Sequence, residues 1–119
     1  MNPRLLGAFG ESVAAAHYRA LGYQMEQANY RTRQGEVDLI VSKGEALVFV
    51  EVKTRGPGAL AAPGEAVTPQ KQRRLIAAAQ SYLAWKEWSD RPCRFDVAEV
   101  RLDEDDRPHV HCIENAFTL

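Results

Sequence analysis

Residues 35–55 read GEVDLIVSKGEALVFVEVKTR, and the fold follows from how that stretch divides. Val37, Leu39 and Val41 alternate with Asp38, Ile40 and Ser42, a period of two that predicts a strand. Lys43 to Glu45, centred on Gly44, reads as a hairpin turn. The return run ALVFVEVKT puts Val48, Val50 and Val52 on one face and Leu47, Phe49, Glu51 and Lys53 on the other. Large apolar side chains on both faces of both strands mark interior strands of an α/β layer fold, covered on two sides. Ionised groups in such strands are costly to desolvate unless they are paired or bound to metal. Asp38, Glu51 and Lys53 are therefore the residues that need a reason.

Their geometry depends on the register of the hairpin. Glu51 and Lys53, two apart on a strand, share a face. A four-residue loop, Lys43–Ala46, pairs Asp38 directly with Glu51, and a two-residue loop at Lys43–Gly44 leaves them diagonal. A loop of odd length sends Asp38 to the opposite face. Where the three converge, two hard oxygen ligands beside a lysine suit Mg²⁺ or Mn²⁺ better than zinc. Such a metal polarises a phosphoryl oxygen and acidifies bound water, which the lysine can orient; the chemistry is phosphodiester hydrolysis. A Glu/Asp–Lys ion-pair network in the sheet explains the same residue types, and spacing alone leaves both readings open.

Outward from the hairpin, Asn2 and Pro3 form a helix start and Gly22 a stop, with Leu6, Phe9, Val13, His17, Ala20 and Leu21 on one face. Residues 23–30 read as extended. Thr68 and Pro69 open a second helix, Gln70 to about Trp88, striped by Leu75, Ile76, Ala79 and Leu83. Trp85 and Trp88 at its end are expected to pack on the core. Strands follow at Cys93–Leu102 and near His109–Glu114, with a solvated acidic turn, Asp103–Asp106, between them. Residues 56–68, GPGALAAPGEAVT, read as a mobile loop, either closing over a substrate strand or, as is commoner, simply a tolerated flexible connection. On the fourth strand, Arg94 and Asp96 suggest ion pairing within the sheet. His109, His111 and Cys112 are metal-friendly but lack a fourth ligand.

The chain of 119 residues is read as one domain, 1–119, and 45% apolar with 26% charged residues excludes disorder and collagen-like structure. A net charge of −1 argues against a histone-like basic coat. Cys93 and Cys112, with no CxxC pair, support neither a disulfide scaffold nor a zinc ribbon, and reduced thiols point to the cytoplasm. No apolar run approaches the ~20 residues that span a bilayer, so no membrane partner is expected. Glu11 interrupts the apolar N-terminal stretch, which reads as an amphipathic helix and not a signal peptide.

The runs GESVAAAHYRALGY at 10–23, NYRTRQGEVDLI at 29–40, FVEVKTR at 49–55 and RFDVAEV at 94–100 together resemble the PD-(D/E)XK nuclease superfamily. Within it the sequence is most similar to the uncharacterised bacterial YraN-type proteins, related to archaeal Holliday-junction resolvases. The resemblance implies a restriction-endonuclease-like core, a mixed central sheet of about five strands flanked by helices. It also implies that Asp38 and Glu51 hold the metal with the main-chain carbonyl of Val52, and that Lys53 assists the attacking water. Glu11 would be the helix glutamate that completes the site or binds a second ion. Val37 departs from the superfamily's eponymous proline, at a position that varies widely among such nucleases.

Arg31, Arg33 and Arg55 flank the acidic strands, and Lys71, Arg73 and Arg74 cluster in the first turns of the second helix. Cations there oppose the helix macrodipole, so helix stability does not explain them. Phosphate binding does; a solvated face is the alternative. The expected function is a Mg²⁺- or Mn²⁺-dependent endonuclease acting on DNA, branched and single-stranded forms included, through Glu11, Asp38, Glu51 and Lys53. Symmetric cutting of two strands would favour a homodimer. The competing readings are a non-catalytic nucleic-acid-binding or adaptor module that keeps the fold, and a structural partner in a protein assembly.

Overall fold

A computed structural model describes residues 2–58 and 67–118. The element order is α1 (Pro3–Ala20), β1 (Gln24–Arg31), β2 (Glu36–Lys43), β3 (Ala46–Arg55), α2 (Pro69–Lys86), β4 (Cys93–Leu102) and β5 (Pro108–Phe117). The expected loop closure falls mainly on residues 59–66, outside the described residues. β5 runs three residues beyond the expected Glu114. The strands form one sheet in the order β1-β2-β3-β4-β5. Neighbours are antiparallel except β3 and β4, which are parallel. A parallel pair needs a crossover, and α2 lies on that connection. This mixed sheet with two helices has the layout of a restriction-endonuclease-like core.

The two-sided burial of β2 and β3 is observed. On one face Ile40, Leu47, Phe49 and Phe95 pack with Leu75, Ala78, Ala79, Tyr82 and Leu83 of α2. On the other, Leu39, Val41, Val48 and Val50 pack with Ala14, Ala15 and Tyr18 of α1. Val37 joins the α2 side, out of step with Leu39. No helix among the described residues is long and apolar enough to cross a membrane.

Both helices start as their sequences indicate. Asn2 Oδ1 accepts the Leu5 N–H at 2.9 Å, and Thr68 Oγ1 accepts that of Lys71 at 3.2 Å, each followed by proline. The buried face of α1 differs from the expected one. Gly10, Ala14, Ala15 and Tyr18 are buried, whereas Leu6, Phe9, Val13 and His17 are half-buried and Ala20 and Leu21 are exposed. Side-chain size decided the face against hydrophobicity, because the helix backbone sits close to the sheet. A Cβ built at Gly10 would overlap the Thr54 side chain of β3. Tyr18 then reaches down to donate its hydroxyl to Asp96 at 2.8 Å.

α2 stops at Lys86, two residues short of expectation. Glu87 takes a left-handed conformation at φ 59°, its N–H donates to Ala84 O at 3.2 Å, and the Trp88 N–H donates to Leu83 O at 2.9 Å. That paired closure turns Trp88 back against the core. Trp85 does not follow it: the expectation that both tryptophans pack inward fails, since Trp85 is 63% exposed. It lies two residues, or about 200° of helix, from the buried Leu83.

The close approach of α1 gives a first prediction. Gly10→Ala should cost about 1–3 kcal/mol in chemical denaturation, with Thr54→Ala recovering part of the loss in the double variant. A wild-type midpoint for Gly10→Ala would refute the tight helix–sheet contact.

Candidate active site

The hairpin register brings the two carboxylates together. Lys43 pairs with Ala46, Val41 with Val48 and Leu39 with Val50, around a two-residue loop, Gly44–Glu45. Continuing one step sets Asp38 opposite Glu51, the direct register expected of a loop spanning Lys43–Ala46; the loop itself is shorter than that, because Lys43 and Ala46 pair with each other and leave Gly44–Glu45 as the turn. Alternation along an antiparallel ladder makes Lys43–Ala46, Val41–Val48 and Leu39–Val50 the hydrogen-bonded pairs, and Val37–Val52 would be next. There the pairing stops. The Val52 N–H donates instead to Asp38 Oδ2 at 2.8 Å, so an acidic side chain takes the place of a main-chain carbonyl.

Glu51 is buried at 7% exposure. Its Oε1 lies 3.4 Å from Lys53 Nζ and 3.0 Å from Lys71 Nζ. Burial pushes the Asp38 carboxyl up to about 7, and the charge of Glu51 adds to it. The Val52 N–H opposes that shift, and Glu11 and Glu36 reinforce it. Burial also lowers Lys53 below the ordinary lysine value, with Lys71 beside it acting in the same direction. Lys71 moves the other way: against the cost of burial, its hydrogen bonds with Lys53 and Glu51 raise it. Two lysines on one carboxylate thus acquire different proton affinities.

A cleft opens on each side of the carboxylates, and Asp38 and Glu51 line both. The larger, of about 580 Å³, has Arg31, Lys71 and Arg74 on its walls with Thr32 and Glu36. The smaller, of about 380 Å³, is walled by Glu11 and Gly7 of α1 and by Val52, Lys53 and Arg55 of β3. Arg31 is paired with Glu36 at 3.1 Å. Arg33 and Arg73 are exposed and stand outside both clefts.

The structure therefore gathers Asp38, Glu51, Lys53 and Val52, with Glu11 across the smaller cleft. It moves Lys71 from an expected phosphate contact onto Glu51. The signal in the sequence was a cation unexplained by its helix position; its acidic partner lay on another element. Glu36, whose charge acts on Asp38, was missed because it reads as a solvated strand start.

No group of three His, Cys, Asp or Glu side chains among the described residues is arranged to hold a metal. The donor set nonetheless fits a hard divalent ion: two carboxylates line both clefts, Val52 lines the smaller one, and burial together with the charge of Glu51 raises the proton affinity of Asp38, which a cation would relieve. His109 is occupied otherwise, 3.0 Å from Asp103. Asp96 is buried and accepts from Arg94 at 2.9 Å, Tyr18 at 2.8 Å and the Asn115 N–H at 3.0 Å, a structural ion pair as expected.

Residues 10–100 match the family described as "Uncharacterised protein family UPF0102". The UPF0102 protein of Symbiobacterium thermophilum is 49% identical over 96% of this chain and 97% of its own length. That of Geobacter sulfurreducens is 43% identical over 98% and 91%, and that of Dehalococcoides mccartyi 38% over 98% and 95%.

The raised Asp38 pKa has a consequence for stability. The carboxyl ionises near 3.8 when unperturbed and near 7 in the fold, so between those values the folded chain keeps a proton that the unfolded chain has released. Stability is lost as pH rises across that window. Asp38→Asn, which keeps an oxygen for the Val52 N–H, should melt several degrees above wild type at pH 7.5, by about 1–2 kcal/mol. The two should melt together near pH 4. Equal melting temperatures at pH 7.5 would show that Asp38 carries no such strain.

Proposed function

The chain belongs to the UPF0102 (YraN) family, and on that premise we propose that it is a metal-dependent endonuclease hydrolysing DNA phosphodiester bonds. The observation that carries this reading is the pairing of half-buried Asp38 with buried Glu51, set beside two lysines of opposed pKa shift and open to clefts on both sides. A structural ion pair has no need of such clefts or of a carboxyl that stays protonated near neutrality.

Asp38, Glu51 and the Val52 carbonyl are the residues that would hold Mg²⁺ or Mn²⁺, which supplies a Lewis acid for the phosphoryl oxygen and acidifies water. Glu11, which lines the smaller cleft with them, would complete that site or hold a second ion. Lys53, beside Glu51 at the cleft and with its proton affinity lowered by burial, is suited to orient the attacking water. Lys71 keeps its charge and can stabilise the negative charge that builds on the phosphoryl group. Two like groups with diverging pKa values divide the roles. Arg31 and Arg74 in the larger cleft and Arg55 in the smaller would take the flanking phosphates, so that the strand crosses the carboxylates. Branched or single-stranded DNA is the expected form, and a dimer is expected where two strands are cut.

One observation favours the second reading, a binding module without catalysis. Lys71 already neutralises Glu51 at 3.0 Å, as a permanent counterion would.

Plasmid, branched and single-stranded DNA incubated with Mg²⁺ or Mn²⁺ separates the two. Cleavage should stop with chelator and fall by about 10²–10⁴-fold in Asp38→Asn, Glu51→Gln and Lys53→Ala, while salt-dependent DNA binding persists. DNA binding without cleavage under either metal would select the binding module. Absence of both would reject nucleic acid as the partner.

A further inference from the structure

Three large apolar side chains are exposed among the described residues, Leu5, Leu21 and Trp85, and Trp85 is the most exposed at 63%. Its indole is held in place although it faces solvent. The Tyr30 ring of β1 lies nearly parallel to it, 6.3 Å away at 11°, and the Tyr82 ring meets it edge-on at 5.9 Å. The Tyr30 hydroxyl lies 3.4 Å from Ser81 Oγ, which fixes that ring against α2. The Lys86 ammonium stands 4.8 Å from the indole centroid. That ammonium lies over the ring face as a cation–π contact, and an aromatic surface supported from behind and covered by one flexible side chain has the composition of a base-stacking platform.

Position connects this platform to the cleft. Arg74 lines the larger cleft, and Trp85 follows it by eleven residues on the same helix. Eleven steps of about 100° bring Trp85 within about 20° of Arg74 around the helix, roughly 16 Å further along it. Ser81 lies on the same stripe. Tyr30 and Arg31 are adjacent on β1, one beneath Trp85 and the other on the cleft wall. A strand leaving the cleft past Arg74 therefore runs along the α2–β1 border to the indole. The span is about five phosphate steps at duplex rise, and fewer for an extended strand.

We propose that Trp85, backed by Tyr30, is a stacking subsite for an unpaired base of the DNA strand whose phosphates lie in the cleft. This rests on the nuclease or nucleic-acid-binding reading of the cleft and adds the form of substrate. Inside a duplex both faces of a base are covered by its neighbours, so the platform selects tails, flaps and frayed ends. Lys86, which lies over the indole in the free protein, swings aside as the base takes that face and meets the adjoining phosphate.

The test is binding of fluorescently labelled duplexes, blunt or with a ten-nucleotide tail, in low salt with chelator so that nothing is cut. Wild type should bind the tailed duplex about tenfold more tightly than the blunt one. Trp85→Ala should lose that preference with blunt-duplex affinity and melting temperature unchanged. Trp85→Phe should keep most of it. An abasic tail should bind wild type no better than a blunt end. Equal tail preference in wild type and Trp85→Ala overturns the subsite and leaves the cleft reading standing. No affinity of wild type for any duplex overturns both. A wild-type dimer in sedimentation that Trp85→Ala dissociates also overturns the subsite, by assigning the indole to a self-contact.

Discussion

An antiparallel ladder ends between Leu39–Val50 and the next rung, and an aspartate takes over where the main chain stops. The Val52 N–H must be satisfied in a sheet packed on both faces. Asp38 satisfies it, and in doing so is held beside Glu51. One hydrogen bond thus accounts for the convergence of the carboxylates, for the freed strand edge at which the two clefts meet, and for Val37 turning out of alternation into the α2 core. A ladder that continued to Val37–Val52 would have closed the strand and removed the reason for Asp38 to point there.

The electrostatics follow from that arrangement. Burial disfavours the charged form of Asp38 and the charge of Glu51 adds to it, so its pKa is pushed up to about 7. Lys53 comes from the same strand and Lys71 from the start of α2, and both reach one oxygen of Glu51. Neither relieves Asp38 fully. A site whose lysines both sit on Glu51, with room on either side of Asp38, differs from the Arg94–Asp96 pair, where every oxygen is satisfied by donors from α1, β4 and β5. The first arrangement is built to receive something, the second to hold the sheet and α1 together.

Packing of the two helices is set by size and by end geometry. Gly10 and Ala14 admit α1 to the sheet, which keeps Glu11 next to them on the cleft wall. On α2 the left-handed Glu87 folds Trp88 inward and leaves Trp85 on the border with β1. The same helix therefore carries charges for the cleft at its first turns and an exposed indole at its last, on nearly one line.

Much of this was legible in residues alone. Alternation over 35–55 determined two doubly covered strands, Asn2-Pro3 and Thr68-Pro69 determined where the helices begin, and charges in apolar strands singled out Asp38, Glu51 and Lys53. These are local signals, because strand period and capping act over a few residues. The tertiary structure alone decided the rest. It chose the Gly10–Ala14–Tyr18 face of α1, because close approach is a property of two surfaces and not of one helix's hydrophobicity. It joined Lys71 to Glu51 and Glu36 to Asp38 through space, split Trp85 from Trp88, and left Arg33 and Arg73 outside the clefts. Long charged side chains carry their heads well away from their own backbone, so which charges meet depends on how elements far apart in the chain are packed.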